Sequence, residues 1–372
     1  MRHILFIFGT RPEAIKLAPV ILLAKRSAGL RVTVCTTGQH REMLRQVLDL
    51  FGIEPQIDLQ LMKTNQTLPE LTAVTLKACT EVLRSQRPDV VIVHGDTTTT
   101  LAASLAAFYE RVPVAHVEAG LRTGDLQAPW PEELNRRLTG VMATLHFAPT
   151  DRSRSNLLAE GVEDARIEVT GNTVIDALQL TVARIRDDAA LRDAMERQCS
   201  FVDKSKRLVL VTGHRRENFG QGMQDICRAL KEIAERGDVQ VVYPVHLNPN
   251  VQGPVRELLG GVPGIVLVPP LEYTPFVHLL SQATLVLTDS GGIQEEAPAL
   301  GVPVLVMREV TERPEAIEAG TARLVGTQPE AIVAAATLLL DDKGVHESMS
   351  KAHNPFGDGH AAARIVERLS AA

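Results

Sequence analysis

Short runs of β-branched and apolar residues alternate with helical stretches along the whole chain, and this alternation restricts the fold more than any other feature. Strands that are apolar on both faces and alternate with helices form parallel sheets covered on both sides. Two sets of such strands in 372 residues predict two doubly wound α/β domains. The predicted strands span residues 3–8, 31–36, 89–94, 112–117, 144–147 and 166–170 in the first half, and 207–212, 239–244, 264–268, 284–287, 302–306 and 322–325 in the second.

Turn-forming residues suggest where the two domains divide. They occur at Gly171-Asn172 and at 354–359, which reads NPFGDG. We predict a first Rossmann-like domain at 1–171, to which a C-terminal helix within 361–372 returns, and a second at 172–360. Ligands of open α/β sheets bind beyond the carboxyl ends of the strands, so we expect the site in a cleft between the domains.

Composition excludes several classes of protein. A net charge of −6 argues against general affinity for nucleic acid. No apolar segment approaches the roughly 20 residues of a membrane helix, and the apolar run at 4–8 is too short for a signal peptide. The four cysteines are scattered without metal or disulfide spacing, which favours a reducing compartment. We therefore expect a cytoplasmic protein that binds neither nucleic acid nor membrane.

Two segments share one pattern, in which a strand, a polar turn, a helix and a Val-Pro-Val strand follow one another. They lie at 90–114 and 284–304. Any two βαβ units look broadly alike, but the shared Val-Pro-Val favours an internal structural repeat.

The first strand leads into GTRPEAIK at 9–16. A glycine permits a tight turn and a proline suits the first turn of a helix, whose N-terminus attracts anions. Arg11 and Lys16 add positive charge, so a phosphate could bind here. The alternative is an ordinary connection between strand and helix with solvated charges.

A second turn reads DSGGIQEE at 289–296. Ser290, Gly291 and Gly292 leave a bare helix start whose N–H groups can approach a diphosphate, and Glu296 could accept hydrogen bonds from ribose hydroxyls. A helix cap followed by acidic residues is the alternative, although a cap would not need consecutive glycines. Neither this turn nor any other matches GxGxxG or GxxxxGK[ST], which argues against NAD and ATP.

Polar residues also follow other predicted strands. They form HGDT at 94–97, HVEAG at 116–120 and GHRRE at 213–217, and PWPEE at 129–133 belongs with them. Carboxylates in a cleft can act as general acid and base, and a histidine beside arginines suits a leaving diphosphate. Asp96 could instead only cap the helix that follows it. No HExxH or similar spacing predicts a metal.

These motifs resemble those of the bacterial non-hydrolysing UDP-N-acetylglucosamine 2-epimerases, and TERPE at 311–315 and NPFGDG at 354–359 extend the resemblance over nearly the whole chain. The resemblance implies a GT-B fold, in which two Rossmann-like domains flank a cleft, and a homodimer. UDP-N-acetylglucosamine and UDP would be the ligands, and the product UDP-N-acetylmannosamine would feed surface polysaccharide synthesis.

The resemblance also implies roles for individual residues. Ser290, Gly291 and Gly292 would contact the diphosphate, Glu296 the ribose and Phe276 the uracil. The nucleotide sugar would also contact Arg11, Lys16, His214 and Arg313, and the catalytic acids would be Asp96, Glu118 and Glu132. Some members bind a second substrate molecule as activator, near the segment that reads QHRE at 39–42. Gln39, His40 and His246 match those members, whereas Glu42 and Asn65 depart from them.

Inverting C2 of the sugar requires removal of a carbon-bound proton. Elimination of UDP to a glycal, followed by re-addition, needs a base, an acid and anion-binding groups, and the sequence supplies each without a cofactor. We expect Asp96 and Glu118 to transfer protons, Glu132 to support them, and His214 with the arginines to hold the diphosphate. A GT-B glycosyltransferase, a hydrolysing 2-epimerase and a non-catalytic nucleotide-sugar sensor are the alternatives.

Overall fold

The computed structural model describes residues 1–38, 41–63 and 66–371, without the side chains of 41–43. The chain divides into two compact units, Met1–Ala177 with the segment from Phe356 onward, and Leu178–Pro355. The predicted domain boundaries lie after residues 171 and 360, whereas these divisions lie after Ala177 and Pro355.

The first unit contains a seven-stranded parallel sheet in the described part of the chain, with the order β3-β2-β1-β4-β5-β6-β7. Its strands are β1 (Arg2–Phe8), β2 (Leu30–Thr36), β3 (Ile57–Asp58), β4 (Val90–His94), β5 (Val114–Val117), β6 (Leu145–Ala148) and β7 (Ile167–Val169). The central strands are buried along their whole length, as expected for a sheet covered on both faces.

The second unit contains a six-stranded parallel sheet with the order β10-β9-β8-β11-β12-β13, again within the described residues. Its strands are β8 (Arg207–Thr212), β9 (Val239–Pro244), β10 (Ile265–Val268), β11 (Leu285–Thr288), β12 (Val304–Val306) and β13 (Ala322–Leu324). Both strand orders are doubly wound, which confirms the predicted pair of Rossmann-like α/β domains.

Helices connect the strands and cover the sheets. They are α1 (Arg11–Arg26), α2 (Arg41–Phe51), α3 (Leu68–Gln86), α4 (Thr98–Tyr109), α5 (Glu132–Met142), α6 (Asp151–Ala159), α7 (Thr173–Asp187), α8 (Ala189–Gln198), α9 (Gln221–Glu235), α10 (Pro249–Leu259), α11 (Tyr273–Gln282), α12 (Gly291–Ala299), α13 (Pro314–Glu318), α14 (Pro329–Asp341), α15 (Lys343–Ser350) and α16 (Ala361–Ala371). The C-terminal helix α16 packs against α1 in the first unit. Among the described helices, none combines the length and the apolarity that crossing a membrane requires.

The strand order reverses direction between β1 and β4 in the first unit, and between β8 and β11 in the second. Ligands of doubly wound sheets bind at these switch points, beyond the carboxyl ends of the strands. The two segments with the shared Val-Pro-Val pattern form β4-α4-β5 and β11-α12-β12. They therefore begin at the equivalent strand of each sheet, and their polar turns follow the strand at each switch point.

Candidate active site

In the first unit, the carboxylate of Glu118 is surrounded by hydrogen-bond donors. Glu118 follows β5 and has a left-handed backbone, with φ of 62°, and its side chain is 6% exposed. The ammonium of Lys16 lies 2.6 and 2.8 Å from its two oxygens. His94 Nε2 lies 3.0 Å from Oε2, and the amide of Asn172 donates to Oε1 at 3.1 Å.

These donors decide the charge of Glu118. Burial alone would raise the pKa of this carboxyl group, but Lys16 and His94 outweigh the burial and hold its pKa well below the usual value. Glu118 is therefore ionised at neutral pH.

Asp96 lies in the turn after β4, beside the end of β5, because His94 and Val117 are paired across these two neighbouring strands. Its carboxylate accepts a hydrogen bond from Arg136 at 2.6 Å. Burial raises the pKa of Asp96, nearby Glu118 raises it further, and Arg136 and Lys16 counteract part of this effect. Asp96 and Glu118 are thus two carboxyl groups whose environments shift their pKa values in opposite directions.

Asp96 does not cap α4. The N-cap is Thr97, whose hydroxyl accepts from the backbone N–H of Thr100. The alternative in which Asp96 only caps the following helix is therefore wrong, because the carboxylate is directed to Arg136 instead.

Helix α5 brings further polar groups to this turn. Asn135 donates to the backbone carbonyl of Asp96 at 2.9 Å, and Arg136 reaches its carboxylate. Glu132 precedes them by one helical turn, so it lies on the same side of α5. Its Oε2 is buried and has no hydrogen-bond partner among the described residues. An unsatisfied buried oxygen is costly and is available to a ligand.

Glu133, next to it in sequence, has a different position. Its buried carboxylate accepts from the backbone N–H groups of Thr123 and Gly124 and pairs with Arg136. It therefore fixes the loop before α5.

The turn after β1 is organised by a buried carboxylate. Glu13 accepts from the backbone N–H groups of Gly9 and Thr10 and from the hydroxyls of Thr97 and Thr100. It caps α1 and ties the turn after β1 to the turn after β4. The N–H groups of Gly9 and Thr10 at the start of α1 thus already donate hydrogen bonds to Glu13.

The two positively charged side chains expected at this turn, Arg11 and Lys16, differ in their contacts. Lys16 is directed to Glu118, whereas Arg11, at the first position of α1, has no side-chain hydrogen bond or ion pair with a described residue and is half-buried.

In the second unit, Asp289 organises the switch point. Its fully buried carboxylate accepts from the backbone N–H groups of His214 and Arg215, at 2.9 to 3.1 Å, and from the amide of Asn218 at 3.2 Å. Asp289 therefore fixes the turn after β8 against the turn after β11. Asp289 belongs to the motif at 289–296, but local sequence patterns assign it no role, since these contacts join residues more than 70 positions apart.

His214 is held between Asp289 and His246. Its Nδ1 lies 3.6 Å from the carboxylate, and the two imidazole rings stack with centroids 5.5 Å apart. Burial lowers the pKa of His214, Asp289 opposes this, and His246 and Arg215 add to it. The lowered pKa favours the neutral imidazole at pH 7.

Helix α12 begins directly after this turn. Ser290 occupies the N-cap position, but its hydroxyl makes no capping hydrogen bond, and the first turn carries no acidic residue. The capping alternative for this motif is therefore not realised. A Cβ placed on Gly291 would lie 3.9 Å from the guanidinium of Arg215 and 4.0 Å from that of Arg313. Two guanidinium groups thus flank a helix start, and the carboxylate of Glu312, which pairs with Arg215, lies 4.0 Å from the same Cβ. An anion at the helix start would compete with Glu312 for Arg215.

The remaining predicted residues of the second unit surround the same edge of the sheet. Glu296 reaches back toward Gly292, where an added Cβ would lie 3.4 Å from its Oε1. Arg313 pairs with the buried carboxylate of Glu295. Phe276 is half-buried in α11, which begins beyond the carboxyl end of β10.

Gln39, His40 and Asn65 lie outside the described residues. Gly38 and Arg45, on either side of the first two, line a cavity of about 540 Å³. Within the described part of the chain, no cluster of three or more histidine, cysteine, aspartate or glutamate side chains could hold a metal ion. The four cysteines are free thiols.

Comparisons with known proteins agree with these motifs. A family profile described as UDP-N-acetylglucosamine 2-epimerase matches residues 23–370. The UDP-N-acetylglucosamine 2-epimerase of Escherichia coli strain K12 is 57% identical over 367 residues, covering 98% of each chain. The UDP-GlcNAc 2-epimerase of Neisseria meningitidis, solved with bound UDP-GlcNAc, is 49% identical with a TM-score of 0.91 and full coverage of both chains.

A more distant relative carries a second ligand. The UDP-GlcNAc 2-epimerase of Methanocaldococcus jannaschii, solved in complex with UDP-GlcNAc and UDP, is 34% identical, with a TM-score of 0.80 and full coverage of both chains. Acinetobacter baumannii MurG, 14% identical with a TM-score of 0.59 and full coverage, is alike in fold alone. These structures and the two doubly wound sheets confirm the predicted GT-B fold class.

Proposed function

Because the chain belongs to the UDP-N-acetylglucosamine 2-epimerase family, we propose that it is an isomerase that interconverts UDP-N-acetylglucosamine and UDP-N-acetylmannosamine without hydrolysing them. The observation that carries this proposal is the pair of carboxyl groups at neighbouring strand ends, Glu118 with a lowered pKa and Asp96 with a raised one. Opposite shifts of this kind suit one group to accept a proton and the other to donate one.

The reaction begins with removal of the C2 proton. A carboxylate takes this proton, the C–H electrons form the C1–C2 double bond, and the C1–O bond breaks so that UDP leaves with its electron pair. The product of this step is a 2-acetamidoglycal. UDP then adds back to C1, and a proton reaches C2 from the opposite face. Atoms and charge balance without an external oxidant or cofactor.

Glu118 is the base in this proposal and Asp96 is the acid, because the surroundings lower the pKa of Glu118 and raise that of Asp96. A carboxylate so strongly stabilised is a weak base. However, Lys16 is also a candidate ligand of the diphosphate, and an anion near Lys16 competes with Glu118 for the ammonium. Drawing Lys16 toward the diphosphate would leave burial as the larger influence on Glu118 and would raise its basicity.

Glu132 supports the acids from α5. Its buried Oε2, which no described residue satisfies, suits a hydrogen bond to a hydroxyl or amide of the sugar. Its position one turn before Arg136, which contacts Asp96, agrees with this role.

UDP is both the leaving group and the returning nucleophile, so the protein must retain it between the two steps. The start of α12 with Ser290, Gly291 and Gly292, flanked by Arg215 and Arg313, suits the diphosphate. His214 donates a hydrogen bond as a neutral imidazole. Arg11, Glu296 and Phe276 keep the roles that the family resemblance implies, with Arg11 at the nucleotide sugar, Glu296 at the ribose and Phe276 at the uracil.

We predict three further properties from the sequence and the family resemblance. They are the homodimer, the cytoplasmic location and the supply of UDP-N-acetylmannosamine to surface polysaccharide synthesis. Substrate activation through Gln39, His40 and His246 also stays a prediction, and His246 is in direct contact with His214.

Incubation with UDP-N-acetylglucosamine alone, followed by NMR of the products, tests the proposal. We expect a mixture of the two nucleotide sugars in which both retain UDP. Free N-acetylmannosamine with stoichiometric UDP would indicate a hydrolysing epimerase. No change until an acceptor is added would indicate a glycosyltransferase.

A further inference from the structure

The two turn-forming segments that mark the predicted domain boundaries, Gly171-Asn172 and 354–359, are in contact in the structure. The backbone N–H of Asn172 donates to the carbonyl of Phe356 at 2.6 Å. Gly171 has a φ of 87°, and a Cβ there would lie 3.1 Å from the Cα of Gly357. The approach is close enough to require glycine at this crossing. The segment that leaves the first unit is thus fastened to the segment that re-enters it, since Phe356 is the first residue of the returning part.

The side chain of Asn172 extends this connection to the catalytic carboxylate. It is buried, with 3% of the residue exposed. Its Oδ1 accepts from the backbone N–H of Val174 at 3.1 Å, which fixes the orientation of the amide. Its Nδ2 therefore faces Glu118 and donates to Oε1 at 3.1 Å.

We propose that Asn172 is a positioning residue for the reaction, which holds Glu118 Oε1 in place and ties it to the segment where the chain re-enters the first unit. This inference rests on the proposed function, because it assigns Glu118 the proton transfer. Asn172 acts through Glu118 and not on the substrate.

A neutral donor has a role here that Lys16 cannot fill. The ammonium of Lys16 is charged, on a flexible stem, and is attracted by any anion that approaches, whereas an amide carries no charge that a diphosphate could attract. When Lys16 turns toward the diphosphate, Asn172 remains as a donor to Oε1 of Glu118, and His94 Nε2 remains 3.0 Å from Oε2. The carboxylate then keeps its orientation while it becomes more basic.

The ionisable groups that face Glu118 are Lys16 from α1, His94 from the end of β4 and Asp96 from the following turn. An N–H donor stabilises the ionised form of a carboxyl group, so its removal raises the pKa. Loss of the Asn172 amide should therefore move the acidic limb of the kcat/KM profile to higher pH, since the reaction needs Glu118 ionised.

Two variants separate this role from a structural one. Asn172→Ala removes both the donor and the acceptor for Val174. Asn172→Asp keeps that acceptor but places a second carboxylate against Glu118. We expect kcat to fall about 10-fold in each, as for a lost hydrogen bond to a charged group. The acidic limb should move farther in Asn172→Asp, whereas thermal stability should fall farther in Asn172→Ala.

The matched control is Asn156→Asp. Asn156 also lies in the first unit and donates its amide to a backbone carbonyl, that of Gly120, at 2.9 Å. We expect its acidic limb to coincide with that of the wild type. Affinity for UDP, measured by calorimetry, should be unchanged in all three variants.

Titration of the Glu118 carboxyl carbon by ¹³C NMR provides the same comparison without turnover, in the wild type and in Asn172→Asp. An acidic limb that does not move in either Asn172 variant, together with an unchanged Glu118 titration in Asn172→Asp, would overturn the inference. Failure of the wild type to epimerise would overturn the proposed function instead, and the NMR titration would still decide whether Asn172 acts on Glu118.

Discussion

The ammonium of Lys16 lies 2.6 Å from one carboxylate oxygen of Glu118 and 2.8 Å from the other, although 102 residues separate them in sequence. Lys16 projects from the first helix and Glu118 follows the fifth strand, so the contact spans the switch point of the first sheet. Lys16, which could bind a phosphate, is therefore in direct contact with Glu118, the candidate base.

Removing this ammonium should change both the rate and its pH dependence. In Lys16→Met, burial is left as the main influence on Glu118, so its pKa rises and the acidic limb of kcat/KM moves to higher pH. We expect kcat/KM to fall about 10²-fold, since a diphosphate contact is lost as well. Lys25→Met, at an exposed position of the same helix, is the control. An unchanged acidic limb in Lys16→Met would contradict the coupling of the two residues.

Replacing either carboxyl group should remove proton transfer while UDP binding persists. Glu118→Gln and Asp96→Asn should each lower kcat by about 10²-fold or more, the size typical of general acid–base catalysis. Affinity for UDP, measured by calorimetry, should change far less, because the groups proposed to bind the diphosphate at the start of α12 belong to the second unit. Glu110→Gln, which removes a surface partner of Arg84, is the control and should retain normal turnover. Near-normal turnover in either active-site variant would show that its carboxyl group is structural.

The sequence was sufficient to predict that the carboxyl ends of β4 and β5 lie side by side. Alternating patterns place β4 and β5 in one parallel sheet, and the turns after neighbouring parallel strands share an edge, so Asp96 and Glu118 could be expected together. The bounds of the predicted strands agree with the structure to within two residues at each end. Strand β3 was missed because two residues, Ile57–Asp58, are too short to show a period.

Contacts between distant buried polar groups could not be predicted in this way. Local patterns indicate for Asn172 only a place in a linker, and for Asp289 only a place in a glycine-rich turn. The structure adds hydrogen bonds to residues 54 and 75 positions away. Periodicity and turn chemistry report local structure, and they contain no information on which buried donor meets which acceptor.

Asp289 should affect nucleotide binding through the turn it fixes. In Asp289→Asn, one carboxylate oxygen becomes an amide, and the backbone N–H groups of His214 and Arg215 lose part of a charged acceptor. We expect affinity for UDP to fall about 10-fold, measured by calorimetry, with a loss of thermal stability. In the surface variant Asp341→Asn, UDP affinity should remain that of the wild type. Equal UDP affinity in Asp289→Asn and the wild type would show that the turn is held by other contacts.

Two buried histidines should make the protein less stable in mild acid. Burial lowers the pKa of His146 to about 4 and that of His116 to about 3, below the ordinary value of 6.5. Because the unfolded chain binds these protons more readily, the free energy of unfolding should decrease as the pH falls from about 6.5 toward 4. Denaturant unfolding at several pH values measures this.

The variant His146→Asn should flatten that dependence, since it removes one of the two groups. His360→Asn, at an exposed position, should leave the slope as it is in the wild type. A slope that is the same in His146→Asn and the wild type would mean that His146 does not contribute to the acid sensitivity.

Turnover of UDP-N-acetylglucosamine in heavy water tests the central claim most directly, because the claim is that a carboxyl group in exchange with solvent protonates C2. The measurement is the deuterium content at C2 of UDP-N-acetylmannosamine, by NMR or mass spectrometry. The account predicts that C2 of the epimerised product carries solvent deuterium, and that Glu118→Gln slows both its incorporation and epimerisation. Epimerised product that retains the original hydrogen at C2 would contradict proton transfer by elimination and re-addition.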